Sequence, residues 1–530
     1  MTQTSASATT TSAPTALDAL TPDEQLVASR RLHWMNMLDL HAQGRPDDEA
    51  FVGQGERYTW KQLHTRVSAV AADLQERGVV AGDRVFILGL NSVSYVTALL
   101  AINTVGAIAA PLNIRSTPAD VDYLVGDAGA VVGFADQMGS GILADAQTAS
   151  QVPLIRFGEE FEAIATSGRV HTHVDVAETE TALIVYTSGT TSAPKGAMLT
   201  HMNMVSQTIN TNRMSAAATA DDVSMVVVPL FHIAGLGFIY PALLNAGRTV
   251  IAPPQVLMKI DALADLVEEE RVTRMFLVPT LWQALCSLPG IRERNLPLTG
   301  ATWGASPASR ETLQLMADTF PNAVISAAFG QTEMSPTTCA QSGEESFRKM
   351  GSVGQPIGMV AARVVDPLGQ DVPQGETGEV VYRGPGYMQG YWNKPEQTAE
   401  ATAGGWFHSG DLVRADAEGY IEVVDRIKDV INTGGVLVAS REIEDVLFAH
   451  PQVAEAAVVG VPDSKWMEAV TAYVVPASDA DTDDLPGALT DHVKDHLAPF
   501  KVPKAVHLVE GLPRNASGKI LKRTLREGGD

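Results

Sequence analysis

The stretch "YTSGTTSAPKGAML" at residues 186–199 puts five Ser/Thr hydroxyls, two glycines and one lysine directly after the apolar run "ALIV". Glycines let backbone N–H groups turn inward, hydroxyls donate further hydrogen bonds, and a lysine adds a point charge. That combination suits an anion, and phosphate chains are the usual guests of such loops. The Walker pattern Gly-x-x-x-x-Gly-Lys-Ser/Thr does not fit, because Lys195 follows Pro194 and precedes Gly196. A Ser/Gly-rich surface loop shares the composition, so the loop alone leaves both readings open.

The surrounding pattern predicts the scaffold. "YTWKQLHTRVSAVAADLQERG" reads as an amphipathic helix with Thr59 and Gln62 as a capping box. Its apolar face is Leu63, Val67, Val70, Ala71 and Leu74, and Gly78 ends it. "DRVFILGL" reads as a buried strand, followed by a helix and by short apolar runs at 130–134 and 182–185. Helices alternating with such strands predict an α/β fold with largely parallel sheets. Phosphate loops in such folds sit beyond the carboxyl ends of strands, where residues 187–196 fall.

From about Gly351 the runs become short, β-rich and separated by Pro/Gly turns, which predicts a small β subdomain. Further on, "SREIEDVLFAH" reads as a helix capped by Ser440, "VAEAAVVGV" and "TAYVVP" as strands, and "LTDHVKDHL" as a helix. These make a separate α+β domain of about 100 residues. The expected division is a disordered tail at 1–16, a large N-terminal domain of layered sheets and helices at 17–427, and a small C-terminal domain at 428–530.

The formal net charge of −24 disfavours nucleic acid as a partner. Cys286 and Cys339 form neither a disulfide framework nor a metal-ligand spacing, which points to a reducing cytoplasm. The Ser/Thr/Ala-rich start lacks the basic and apolar regions of a secretory signal. Two uncharged stretches, 91–113 and 223–247, are long enough to cross a bilayer. Pro111 lies near the end of the first, and Pro229, His232 and Pro241 break the second. A buried helix and a strand–loop–helix suit them better. Peripheral membrane contact and homo-oligomerisation stay open.

The loop, together with the collinear segments "VVPLFHIAGL", "WGASPAS", "AFGQTEMSP", "GGWFHSGDL", "VDRIKDVINTGG" and "LPRNASGKILKR", resembles the adenylate-forming superfamily. That superfamily comprises acyl-CoA synthetases, adenylation domains and luciferases, and the match runs from about residue 30 to the end. The resemblance implies that Thr187, Ser188, Gly189, Thr190, Thr191 and Lys195 wrap the ATP phosphates. It places Phe329 and Gly330 at the adenine, with Gly304, Ala305 and Ser306 between adenine and acyl group. Thr332 would contact the α-phosphate, and Glu333 with Thr190 would serve Mg²⁺. Asp411 and Arg426 would hold the ribose, and Lys519 would be the catalytic lysine, acting with Glu333, Thr332 and Lys195. Phe231, His232, Gly235, Leu236, Trp303 and Gly304 would line the substrate pocket.

The resemblance also implies a reaction. A carboxylate attacks the ATP α-phosphate and expels pyrophosphate, then a thiol takes the acyl group and releases AMP. Between the two steps the mobile C-terminal domain would turn about a hinge at Lys428. Many relatives read Gly-Gly-Glu-Asn after the hinge, where this chain has Val436 and Leu437, and Asn432 stands where some carry lysine. The expected activity is that of an ATP-dependent fatty-acid–CoA ligase using coenzyme A. The alternatives are an aryl-acid CoA ligase, for which Phe231, Trp282 and Trp303 would flank the ring, and a module loading an acyl carrier protein. No acidic residue falls between Val226 and Asn245, which disfavours amino-acid substrates.

Overall fold

The computed structural model describes residues 15–187, 193–214, 218–478, 480–514 and 519–527. Two large sheets form the body. One has thirteen strands, and its middle runs through Ser352–Pro356, Thr337–Ser342, Val324–Gly330, Gly300–Gly304, Arg274–Leu277 and Val223–Val226. The four from Val324–Gly330 to Val223–Val226 are mutually parallel, whereas Thr337–Ser342 runs antiparallel. The other sheet has seven strands and carries Thr181–Thr187 beside Lys195–Thr200. The fold is the expected α/β class, with mixed rather than wholly parallel sheets.

The β-rich stretch after residue 351 does not stand apart. Its strands Ala361–Val365, Gly378–Arg383, Phe407–Ala415 and Ile421–Arg426 continue the thirteen-stranded sheet through Ser352–Pro356. A continuous apolar cluster joins both sheets to the helices Trp34–Gly44, Trp60–Glu76, Val93–Thr104 and Ile233–Asn245. A second cluster covers the opposite face of the large sheet with helices Ile260–Glu269, Pro279–Cys286 and Arg310–Thr319. Helix Trp60–Glu76 begins with the anticipated box, in which Gln62 N–H donates to Thr59 Oγ1 and Thr59 N–H to Gln62 Oε1. The long uncharged stretches become a buried helix and a strand–loop–helix. No described helix is long and apolar enough to cross a membrane.

The C-terminal sheet contains Ile431–Thr433, Val436–Val438, Val453–Asp463, Met467–Pro476 and Ala505–Leu508, over a core of its own. Ser440 does not cap its helix as anticipated. It is the first helical residue, and both its N–H and its hydroxyl donate to Asp425 Oδ2, at 2.5 and 2.9 Å. Asp425 belongs to strand Ile421–Arg426 of the large sheet, so this buried carboxylate ties the two parts of the chain together. Within the C-terminal part, Lys522 Nζ holds Ser440 in place by bonding Ser440 Oγ and Glu444, both at 2.7 Å.

Replacing Asp425 by alanine strands two buried donors. The expected effect is a loss of about 3–6 kcal/mol, summed from two hydrogen bonds to a charged group. Equilibrium denaturation, with limited proteolysis reporting earlier cleavage beyond residue 430, measures it.

Candidate active site

The parallel strands of the large sheet end beside a cavity of about 1000 Å³. Its upper part is polar. Thr187, Lys195, Ala305, Phe329, Gly330, Thr332, Glu333, Arg426, Lys428 and Lys519 all line it. They come from both sheets and from the C-terminal segment, so no single element builds the site.

Strand Val324–Gly330 delivers Phe329 and Gly330, and a short 3-10 turn, Thr332–Met334, follows. Gly330 is required by packing: a Cβ there would lie 1.9 Å from the Pro336 carbonyl oxygen. That close approach holds Thr332 and Glu333, both almost fully buried, against the cavity wall. Tyr391 donates its hydroxyl to Glu333 Oε1 at 2.8 Å, and Lys195 Nζ sits 4.4 Å above the Tyr391 ring. One tyrosine therefore spaces the lysine from the carboxylate. Thr187 lies opposite Lys195 across the antiparallel pair of strands. Ser188, Gly189, Thr190 and Thr191 lie outside the described residues, and with them the expected second metal contact.

Asp411 sits on strand Phe407–Ala415 with Arg426 directly across from it. Arg426 Nε reaches Asp411 Oδ1 at 2.6 Å, while the buried Oδ2 has no hydrogen-bond partner. Burial pushes the carboxyl up to about 6, against the opposing pull of Arg426, Lys519 and Lys428. Desolvation thus outweighs three nearby cations. Lys519 faces the same space. Its ammonium is held below the ordinary lysine range by burial and by Arg426, while Glu333 and Asp411 pull the other way. Lys428 is lowered likewise, by burial first. It lies in the turn Ile427–Asp429, where Arg526 donates to the Lys428 carbonyl at 3.0 Å and pairs with Asp429 at 2.9 Å.

Below the polar end the cavity continues between the sheet and the helices His201–Met214 and Ile233–Asn245. Strand pleating decides which side chains enter. Phe276, Thr302, Ser326 and Ser342 form one row across four strands. Ser224, Arg274 and Gly300 form the next, two residues lower. Helix His201–Met214 presents Met204, Gln207, Thr208 and Thr211, at i, i+3, i+4 and i+7. From the other helix, Phe238 meets Phe276 with ring centroids 5.3 Å apart.

His232 is the one residue expected from "PLFHIAGL" that lines this space. It caps its helix by accepting from the Ala234 N–H. The residue is exposed at the cavity, and desolvation by the surrounding groups with Lys519 nearby pushes its imidazole down to about 4. The other pocket candidates point elsewhere. Phe231 packs against the core of the seven-stranded sheet, and Leu236 is fully buried in the main core. Gly235 abuts the Pro229 carbonyl, and Gly304 abuts Ala328 O and Phe276. Trp303 is one residue out of phase with Thr302, so it faces the helices on the far side of the sheet with Trp282. Ser306 is exposed and outside the lining. Sequence reasoning missed Phe238, Phe276 and Arg274. The run "TRMFLVP" is continuously apolar after Arg274, so only the period of two along a strand, once its register is known, puts Arg274 and Phe276 on one face.

Known proteins resemble this chain along most of its length. The family model "AMP-binding enzyme" matches residues 38–392, and "AMP-binding enzyme C-terminal domain" matches 442–519. A feruloyl-CoA synthase from Amycolatopsis sp is 36% identical over 89% of this chain and 94% of its own length. A fatty acid–[acyl-carrier-protein] ligase from Streptomyces coeruleorubidus is 32% identical over 92% of this chain and 94% of its own. The o-succinylbenzoate coenzyme A synthetase of Bacillus subtilis, in complex with ATP and magnesium ion, superposes with a TM-score of 0.82. It is 26% identical and covers 92% of this chain and 99% of that one. The chain belongs to the AMP-binding enzyme family, within the adenylate-forming superfamily.

Proposed function

We propose that this AMP-forming acid–CoA ligase activates an aromatic monocarboxylic acid, and that the cavity holds ATP at its polar end and the acid's ring below. The observation that carries this reading is the lower chamber. Phe238 and Phe276 offer ring faces, but Gln207, Thr208, Thr211, Ser224, Thr302 and Ser326 share the wall. Gln207 Nε2 donates to Thr337 O, and the Thr208 and Thr211 hydroxyls donate to their own helix. A long alkyl tail would still lie against the unpartnered Ser326 Oγ and against Arg274, losing part of the gain of about 0.8 kcal/mol per methylene that a fatty-acid tunnel provides. The aryl alternative is therefore favoured over the fatty-acid one. The feruloyl-CoA synthase and the o-succinylbenzoate synthetase, both named for acids carrying a ring, support it.

The polar end suits ATP. Asp411 Oδ2 is a buried acceptor without a partner, which suits a ribose hydroxyl. Glu333 and the Thr332 hydroxyl are hard oxygen donors at the wall, fitting Mg²⁺ that shares its shell with phosphate oxygens. When bound, the ion neutralises charge on the phosphates. In this reading Phe329 lies against the adenine, and Lys195 and Thr187 face the phosphate chain. Arg426 holds Asp411 in place for the ribose. Lys519 stabilises charge as the acid oxygen attacks the α-phosphorus and pyrophosphate leaves. His232, neutral at pH 7, closes the chamber near the acyl carbon without adding charge. CoA sulfur then attacks that carbon and AMP departs. Residues 17–427 act as the adenylating body and 428–530 as the lid, with the turn at Lys428 as hinge. The exposed Val436 and Leu437 on the lid's hairpin keep a carrier protein as the alternative acceptor.

Pyrophosphate release over a panel of aryl and fatty acids tests the substrate class. Arylpropenoic and benzoic acids are expected to exceed every fatty acid in kcat/KM, and the reverse order contradicts the reading.

Lys519→Ala is expected to slow adenylate formation by about two to four decades, as for loss of a charge aimed at the transition state. Transfer from preformed acyl-adenylate to CoA should change far less. Single-turnover assays of each half-reaction distinguish the two.

Asp411 gives a pH signature. The ionised form accepts ribose hydroxyls, and the carboxyl is protonated below about 6. Adenosine affinity is therefore expected to be flat above that pH and to fall as pH drops through it, since binding favours the ionised form. Adenosine carries no phosphate, so its own charge stays constant across that range. Calorimetry should show the acid limb in the wild type and a weaker, flat profile in Asp411→Asn.

A further inference from the structure

The floor of the lower chamber is built from an ion pair and an orphaned hydroxyl. Arg274 opens strand Arg274–Leu277 and lines the cavity, and its Nε pairs with Asp222 Oδ1 at 2.9 Å. Asp222 is fixed in turn: Oδ1 accepts from Thr273 Oγ1 at 2.8 Å and Oδ2 from Thr219 N–H at 2.7 Å. The arginine stem crosses Gly300 on the next strand, where a Cβ would sit 3.3 Å from Arg274 Cγ. Glycine at that position lets the arginine run across the sheet.

Ser326 is one strand further along and one row higher, about 7 Å up the sheet at two residues of strand rise. Its side chain is 4% exposed, it lines the same cavity, and its Oγ has no hydrogen-bond partner. A buried hydroxyl without a partner is unfavourable until something pairs with it. From the Gly300 row up to Gly304, beside the nucleotide end, is four residues or about 13 Å, a span that a benzene ring on a short chain fills.

We infer that Arg274 and Ser326 form a distal subsite that selects aromatic acids bearing a hydroxyl on the ring position farthest from the carboxyl chain. This rests on the aromatic-acid reading above and deepens it. The chemistry discriminates a hydroxyl from its rivals. A hydroxyl both donates and accepts, so it can accept from Arg274 while exchanging a hydrogen bond with Ser326. An unsubstituted ring leaves both groups without a ligand partner. A second carboxylate would bring another anion into a low-dielectric pocket where Asp222 already balances Arg274.

The test uses the full-length enzyme and three matched acids: 3-phenylpropenoic acid, its 4-hydroxy derivative and its 4-carboxy derivative. The readout is kcat/KM for pyrophosphate release. The hydroxy acid is expected to exceed the unsubstituted acid at least about tenfold, because a site built to bond a hydroxyl rejects the analogue lacking it. Ser326→Ala should bring that ratio to within about threefold of one. So should the pair Arg274→Met with Asp222→Asn, which leaves no unpaired carboxylate behind. Ser326→Ala removes no paired group, so it keeps the test decisive if the double variant fails to fold. A wild-type ratio near one, or a folded Ser326→Ala enzyme that keeps the wild-type ratio, overturns the inference and leaves the aromatic reading standing. Preference for the 4-carboxy acid overturns it as well. Turnover of none of the three acids overturns both.

Discussion

The buried carboxylates Glu333 and Asp411 stand beside the more exposed cations Arg426 and Lys519, and that grouping organises the molecule. A single buried charge is prohibitive, and even a pair is only tolerable with good geometry. Here Glu333, Arg426 and Lys519 line one cavity with Asp411 buried against Arg426, and the balance is visible in Asp411, which burial raises to about 6 despite the arginine at 2.6 Å. The four come from three places in the sequence. Strand Val324–Gly330 and its turn bring Glu333, two antiparallel strands bring Asp411 and Arg426, and the C-terminal segment brings Lys519. The site is thus complete only when the C-terminal part is docked as observed. The contacts that dock it are Asp425 with Ser440 and Arg441 with the Val423 carbonyl.

The same sheet that supplies these charges also shapes the chamber beneath them. On its cavity face the central strands carry the small residues Ser224, Gly300, Thr302, Ser326 and Ala328 beside the larger Arg274 and Phe276. On the opposite face the same strands carry Met275, Leu277, Trp303 and Ile325, which fill a core. Pleating thus makes one sheet both a wall with room beside it and a packed layer. Gln207, Thr208 and Thr211 spend their hydrogen bonds on Thr337 O and on their own helix, whereas Ser326 Oγ has no partner among the described residues, so in this wall Ser326 is a hydroxyl that a ligand or water can satisfy.

Much of the scaffold was legible in the sequence. The capping box at Thr59 and Gln62, the buried run in "DRVFILGL" and the helix "LTDHVKDHL" are local patterns, and each formed as read. The polar end of the site was legible through collinear motifs, because residues such as Asp411 and Arg426 sit in short segments of distinctive composition. The chamber was not. Phe231, Trp282 and Trp303 looked suitable by type, yet Trp303 lies one residue out of phase and Trp282 donates its indole N–H to Thr302 O from the far side of the sheet. Facing is set by pairing register across four strands, which residue type does not encode. Ser440 illustrates the same limit: it looked like a local cap, but its partner is Asp425, fifteen residues away on another sheet.

In the proposed reaction this cavity joins a carboxylate oxygen to the α-phosphorus of ATP. Incubating the enzyme with ATP, magnesium, CoA and an aromatic acid labelled with oxygen-18 in its carboxyl group tests this directly. Because the attacking oxygen stays on phosphorus when the thiol takes the acyl group, one labelled oxygen should appear in each AMP formed. Label in orthophosphate with formation of ADP, or AMP free of label, would contradict the account.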